Sequence, residues 1–233
     1  MTLLPDSPKE PSRIPLTRDR VLAGAMALAD DVGMEGFTLR KLATWIGVKP
    51  MTIYHYVTNK EAIIDGMIDL VFDGIDLPPT DIDWKDAMRV RARSVRTALA
   101  EHPWATGLME SRPTPGPATL RHHDAVLGCL RRAGFSVVMT AHAYAIIDSF
   151  LYGFALQEGS LPATDGEAMA DLAAAITAPF EAGQYPYLTE LTTEHVLKPG
   201  YDFGAEFEFG LTLILDGIGT PECPASPGES PRG

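Results

Sequence analysis

Ten residues, "IGVKPMTIYH" from Ile46 to His55, restrict the fold of this chain more than any others. Ahead of them Leu39, Leu42, Ala43 and Ile46 recur at helical spacings behind Thr38, a good N-cap, so the pattern predicts a helix that stops at Gly47. Pro50 disfavours the α region at Lys49 and suits the first turn of a helix, so a new element starts there. Only Gly47-Val48-Lys49 then joins the two helices, and a glycine-containing link that short is the helix-turn-helix connection, which sets its helices at a steep angle. In the helix opened by Pro50, Ile53 and Val57 lie four apart and face inward, leaving Met51, Thr52, Tyr54, His55 and Tyr56 over the remaining surface.

The flanking sequence is helical too. Val21, Leu22, Ala25, Leu28, Ala29 and Val32 form one stripe behind Thr17 and predict a first helix that stops at Gly33. A fourth helix over 59–75 carries Ile63, Ile64, Met67, Ile68, Val71 and Phe72, and "DLPPTDID" breaks the chain near Leu77. Helical patterns resume over 84–102, 118–133 and 136–157, in shorter pieces near 167–180 and 188–195, and over 203–218, while strand-like alternation is nearly absent. The expected class is all-α: an N-terminal three-helix helix-turn-helix domain over 16–62, joined by the fourth helix to a helical body over 63–218. Residues 1–15 and 219–233, polar and broken by proline, are expected to be a disordered arm and tail.

Charge separates these parts. The chain carries a net −12, yet between Lys9 and Lys60 eight Lys and Arg face five Asp and Glu, whereas from 61 onward eleven face twenty-five. Only the first quarter is suited to meet a polyanion. Cys129 and Cys223 have no CxxC partner, so neither a disulfide framework nor a zinc site is expected, and a reducing cytoplasmic setting fits. Without a basic and apolar leader or an apolar run of roughly 20 residues, no membrane partner is expected. An enzyme is not expected: HExxH, GxSxG, GxGxxG and P-loop patterns are missing, no catalytic residue or cofactor is indicated, and adjacent His122 and His123 point about 100° apart on a helix, too far to share one metal.

The segment "GFTLRKLATWIGVKPMTIYHYVTNKEAIIDGMI" resembles the DNA-binding domain of the tetracycline-repressor (TetR) family of bacterial regulators. "ALAEH" at 98–102, "SRPT" at 111–114, "AGFS" at 133–136 and "EFEFGLTLILDGI" at 206–218 extend the resemblance through the ligand-binding half. The resemblance implies a homodimeric repressor of a palindromic double-stranded DNA operator, released when a small-molecule inducer binds the C-terminal ligand-binding and dimerisation domain. It implies that Arg40 reaches a guanine edge or a phosphate, and that Tyr54, Tyr56, Lys60 and the Thr38 hydroxyl grip the backbone. Pro50, Met51 and Thr52 occupy the face that reads bases; where relatives carry a long polar residue, Pro50-Met51 suits thymine methyls instead. The alternative for Tyr54 and Tyr56 is packing within the small domain, and Arg13, Arg18 and Arg20 are placed to extend contact along the backbone or into a minor groove.

In the body, Met88, Arg91, Val95, His102, Trp104, Met109, Asp148 and Tyr152 are the candidate ligand-binding residues, with Leu99, His142, Phe150 and Phe154 near them in the pattern. Asp76, Arg91 and Gln157 depart from the tetracycline-binding pattern, so no metal is expected, and the implied inducer is a lipophilic, antibiotic-like or secondary-metabolite-like compound. Phe207, Leu211 and Leu215 on the last helix are the candidate dimerisation residues. The implied targets are exporter or biosynthetic genes. The rival reading is a dimeric regulator whose body binds a protein partner or no ligand.

Overall fold

A computed structural model describes residues 15–161, 166–178 and 183–219. The expected arm before residue 15, with Arg13, and the tail beyond 219, with Cys223, lie outside the described residues, as does part of the helical piece near 167–180. Helices are the only regular elements among the described residues, and the chain divides into two compact units, Met1–Met67 and Ile68–Gly233.

The first unit holds α1 (Arg18–Gly36), α2 (Leu39–Trp45), α3 (Pro50–Ile53) and the start of α4 (Lys60–Asp73). Thr17 and Thr38 cap α1 and α2, each side-chain oxygen accepting a backbone N–H three residues on, at 3.2 Å. The stop expected at Gly33 is a break instead: Gly33 is non-helical at φ 68°, and α1 resumes beyond it to Gly36. Gly47 takes φ 74° in the link, a conformation that costs any residue with a Cβ. Lys49 is extended at φ −77°, ψ 144°, and Pro50 occupies the first turn of α3. The core is Val21, Leu22, Ala25, Leu28, Phe37, Leu42, Ile53 and Ile63, all 2 % exposed or less. Ile46 lies against Gly24, where a Cβ would collide with its side chain.

One expectation is corrected here. The third helix does not run on to Val57: α3 ends at Ile53, and Tyr54–Tyr56 close as turns in which the His55 and Tyr56 amides bond to the carbonyls of Thr52 and Ile53. Val57 still reaches the core because its amide bonds to the Ile53 carbonyl, keeping the inward phase for one more turn.

The second unit is built on α5 (Trp84–Glu101), α6 (Pro117–Arg132), α7 (Val137–Ser160) and α10 (Ala205–Gly217). Helices α5, α6 and α10 each pack on α7. A short 3₁₀ turn, Pro103–Ala105, follows α5, and α8 (Gly166–Thr177) and α9 (Pro186–Leu191) precede α10. Length and composition alone would let α7 cross a membrane, but midway along it Asp148 is buried in an ion pair with α5, as befits the core helix of a packed body. Phe150, Phe154 and Phe207 meet with centroids 5.1–5.9 Å apart, Phe207 stacked on Phe150 and edge-on to Phe154, and fasten α10 to α7.

Candidate functional site

On the first unit the outward side chains are those the helix-turn-helix pattern leaves over. Arg40 is exposed on α2 and forms no ion pair among the described residues. Met51 is 72 % exposed at the head of α3, beside exposed Pro50 and half-buried Thr52. Tyr54 is exposed and Tyr56 half-buried, both in the turns after α3. Thr38 Oγ1 accepts the Lys41 amide and keeps its own O–H to donate. Lys60 differs: its ammonium donates to the Phe37 carbonyl at 3.3 Å and lies 5.6 Å from that ring, so it is held against the small domain. His55, for which the sequence suggests no role, is exposed.

On the second unit a polar cluster occupies the core. Arg91 is fully buried between Met88 and Val95 on one face of α5, at spacings of three and four that put all three in one stripe. Its Nη1 donates to Asp148 Oδ1 at 2.5 Å and its Nε to His122 Nε2 at 3.3 Å, joining α5, α7 and α6. The Phe72 ring of α4 packs against His122 and His123 with centroids 5.1 and 5.3 Å apart. Tyr152 donates to Glu110 at 3.0 Å, and the His123 ring meets Tyr144. Burial acts to lower the Arg91 pKa, but the charge and hydrogen bond of Asp148 outweigh it, and the guanidinium is held above its usual value. Burial, followed by the Arg91 charge, pushes His122 down to about 3 and keeps it neutral at physiological pH. Burial and the Asp148 carboxylate raise Tyr144 and Tyr152, so both are neutral as well.

The structure therefore brings Arg91, Asp148 and Tyr152 into one cluster flanked by Met88 and Val95, with Met109 also buried. His102 and Trp104 meet each other with centroids 5.9 Å apart at the end of α5. His142, expected near the ligand-binding residues, is exposed on α7 and is not among the residues bonded in the cluster. Sequence reasoning missed His122, His123, Glu110 and Tyr144; the available signal was His122 on the apolar stripe Ala118, Thr119, His122, Val126, Cys129 and Leu130 of α6. A groove of about 710 Å³ opens on α5, lined among others by Arg93, Arg96, Leu99, Ala155, Glu158 and Glu208, of which only Leu99 is among the residues expected near the ligand.

The candidate dimerisation residues lie on the inner side of α10. Phe207, Leu211 and Leu215 are fully buried within the single chain, holding α10 to the body, whereas Phe209 and Leu213 face out. Both sets obey helical spacing, and only packing separates them.

Two family models cover most of the chain: bacterial regulatory proteins of the tetR family match residues 21–67, and the tetracyclin repressor-like C-terminal domain matches residues 77–221. The chain belongs to the TetR family. It is a DNA-binding transcriptional regulator and not an enzyme. Among its relatives, the transcriptional repressor DrrR1 of Streptomyces coeruleorubidus is 31 % identical over 94 % of this chain and 84 % of that protein. The class A tetracycline repressor from transposon 1721 of Escherichia coli is 29 % identical over 93 % of this chain and 97 % of the repressor. Among solved structures, ActR of Streptomyces coelicolor in complex with actinorhodin shares the fold at TM-score 0.73 and 23 % identity, covering 90 % of this chain and 99 % of that one. In this TetR-family chain the exposed side chains of α2 and α3 thus belong to the matched DNA-binding region, and the polar cluster to the matched C-terminal domain.

Proposed function

We propose that this TetR-family repressor binds a palindromic operator as a homodimer and releases it when a small lipophilic molecule enters the C-terminal domain. The observation that carries the DNA-reading half is the surface of the first unit. Met51 is an unbranched apolar side chain almost entirely in solvent, on the same small domain as uncommitted Arg40 and exposed Tyr54. Packing does not account for that combination; a major groove offering thymine methyls, guanine acceptors and phosphates does. Thr38, Pro50, Thr52, Tyr56 and Lys60 are assigned to the same interface, Lys60 through the donors its Phe37 contact leaves over, and the reader is taken as residues 16–62.

The homodimer reading is supported by the outward apolar face of α10, Phe209 and Leu213, and by exposed Ile146 and Leu156 on α7. The ligand reading, assigned to Met88, Arg91, Val95, His102, Trp104, Met109, Asp148 and Tyr152, is supported by the polar cluster within an apolar body, and ActR, solved with actinorhodin, shares this fold. A cytoplasmic regulator of exporter or biosynthetic genes fits that chemistry.

The test is operator binding. Arg40→Ala and Tyr54→Ala should each weaken specific operator binding at least tenfold while light scattering still reports a folded dimer. Undiminished affinity in both would sink the interface. A metabolite screen by thermal shift that finds no stabilising compound would favour the rival in which the body binds a protein or nothing.

A further inference from the structure

The first unit carries a groove that the DNA-reading residues only partly use. Leu28, Asp31 and Val32 of α1, three and four residues apart, form one side of it, and Thr38, Arg40, Lys41, Thr44 and Trp45 at and along α2 form the other. Its volume is about 510 Å³, within the roughly 300–1,000 Å³ of small-molecule sites. Leu28, Val32 and the Trp45 indole make the wall apolar, and Trp45, 50 % exposed, offers a flat ring to stack against. Lys41 stands one turn before Trp45 on the same side of α2, with Arg40 next to it in the lining. Thr44 spends its O–H on the Arg40 carbonyl, and Thr38 Oγ1 accepts the Lys41 amide. Arg40, Lys41 and Asp31 form no ion pair among the described residues. The charges left to meet a ligand are therefore two cations against one carboxylate.

We propose that this groove is a second ligand site, on the reader itself, for a planar aromatic anion such as an aryl carboxylate or phenolate. The rings stack on Trp45 against Leu28 and Val32, and the anionic oxygens meet Lys41 and Arg40. Thr38 and Arg40 also belong to the proposed DNA surface, so an occupied groove and a bound operator exclude each other. Such a compound releases the operator directly, with no signal from the C-terminal body. The exclusion rests on the DNA-reading assignment of Arg40 and Thr38; the binding does not.

Two probes of one shape and opposite charge, 2-naphthoate and 2-naphthylmethylammonium, test this by titration into full-length protein carrying ¹⁵N-tryptophan. Naphthoate should shift the Trp45 indole N–H resonance saturably and bind about fivefold or more tightly than the ammonium, since exposed ion pairs become repulsions when the probe charge is reversed. Lys41→Glu should abolish that preference. Naphthoate should also raise the apparent operator Kd in proportion to its concentration. Trp45→Ala, checked for folding by circular dichroism, should bind operator as the parent does and resist naphthoate. A Trp45 resonance that neither probe moves, or that the ammonium moves at an equal or lower concentration, overturns the site. So does operator release by naphthoate that persists undiminished in Trp45→Ala, which places the action in the body. Loss of operator binding in Trp45→Ala assigns the groove to DNA and overturns it as a ligand site. A resonance that moves while the operator Kd stays constant overturns the exclusion, and full operator affinity in Arg40→Ala then traces that failure to the DNA surface rather than to the site.

Discussion

Three of the four arginines of helix α5 meet a carboxylate on another helix, at three depths. Arg91 and Asp148 are 0 % and 7 % exposed, Arg96 and Glu158 are 28 % and 17 %, and Arg93 and Glu208 are 58 % and 44 %. The outer two pairs are bidentate, with distances of 2.5–2.9 Å, whereas the buried pair is joined by a single bond. The order is the reverse of what stability alone would favour, because a buried charge is costly unless fully hydrogen-bonded and an exposed one costs little either way. Where an arrangement departs from the stable choice inside a core, function is the usual reason. The contrast sets the pair proposed for ligand binding apart from two more exposed ones on the same helix.

The largest effect should come from breaking the buried pair on one side only. Arg91→Met leaves Asp148 charged, buried and unpaired, and urea unfolding should show a loss of about 3–5 kcal/mol. Adding Asp148→Leu removes the orphan, and the double variant should regain most of that loss or exceed the parent. A single variant that costs under about 1 kcal/mol would mean that the pair is hydrated in solution, and the contrast along α5 would fail.

His122 gives the next largest effect, through pH. Its folded value of about 3 lies below the ordinary histidine value of about 6.5, so the unfolded chain takes up the proton first as pH falls. The stability that depends on neutral His122 is fully present above pH of about 6.5 and is lost progressively as pH falls from there toward 3. The slope approaches about 1.4 kcal/mol per pH unit, so the step from pH 7 to pH 5 should cost about 2 kcal/mol. Because carboxylates titrate over part of the same range, the informative quantity is the parent minus His122→Asn. Identical pH slopes in the two would show that His122 is not buried as a neutral donor.

The same contrast explains what the sequence could and could not show. The α2–α3 connection was legible because its determinants are local: Gly47 supplies a positive φ and Pro50 a fixed start within four residues. The length of α3 was not, because Ile53 and Val57 keep a four-residue spacing whether a helix or a pair of turns joins them. Arg91, Asp148 and Tyr152 drew notice as polar residues on apolar stripes, but Arg91 meets His122 across 31 residues and Asp148 across 57, and no periodicity encodes which stripe meets which. For the same reason no spacing separates the two faces of α10: Phe207 and Leu211 repeat at the same interval as Phe209 and Leu213, and it is the ring contacts of Phe207 with Phe150 and Phe154 that turn it to the body.

The smallest effects separate the two outer pairs from each other. Arg96 lies over the rings of Phe154 and Phe207 at 5.3 and 4.9 Å, so its guanidinium is stacked as well as paired. A double-mutant cycle of Arg96→Gln with Glu158→Gln should give a coupling of about 1–2 kcal/mol, little changed when salt is raised to about 0.5 M, since screening acts weakly on partly buried pairs. The same cycle for Arg93 and Glu208, open to solvent on both sides, should give about 0.2–1 kcal/mol at low salt and still less at high salt. The two pairs share donor, acceptor and bidentate geometry, so any difference between the cycles measures depth and ring stacking. Equal couplings would show that bidentate geometry alone sets the strength of these pairs, and the gradient along α5 would then begin only at Arg91.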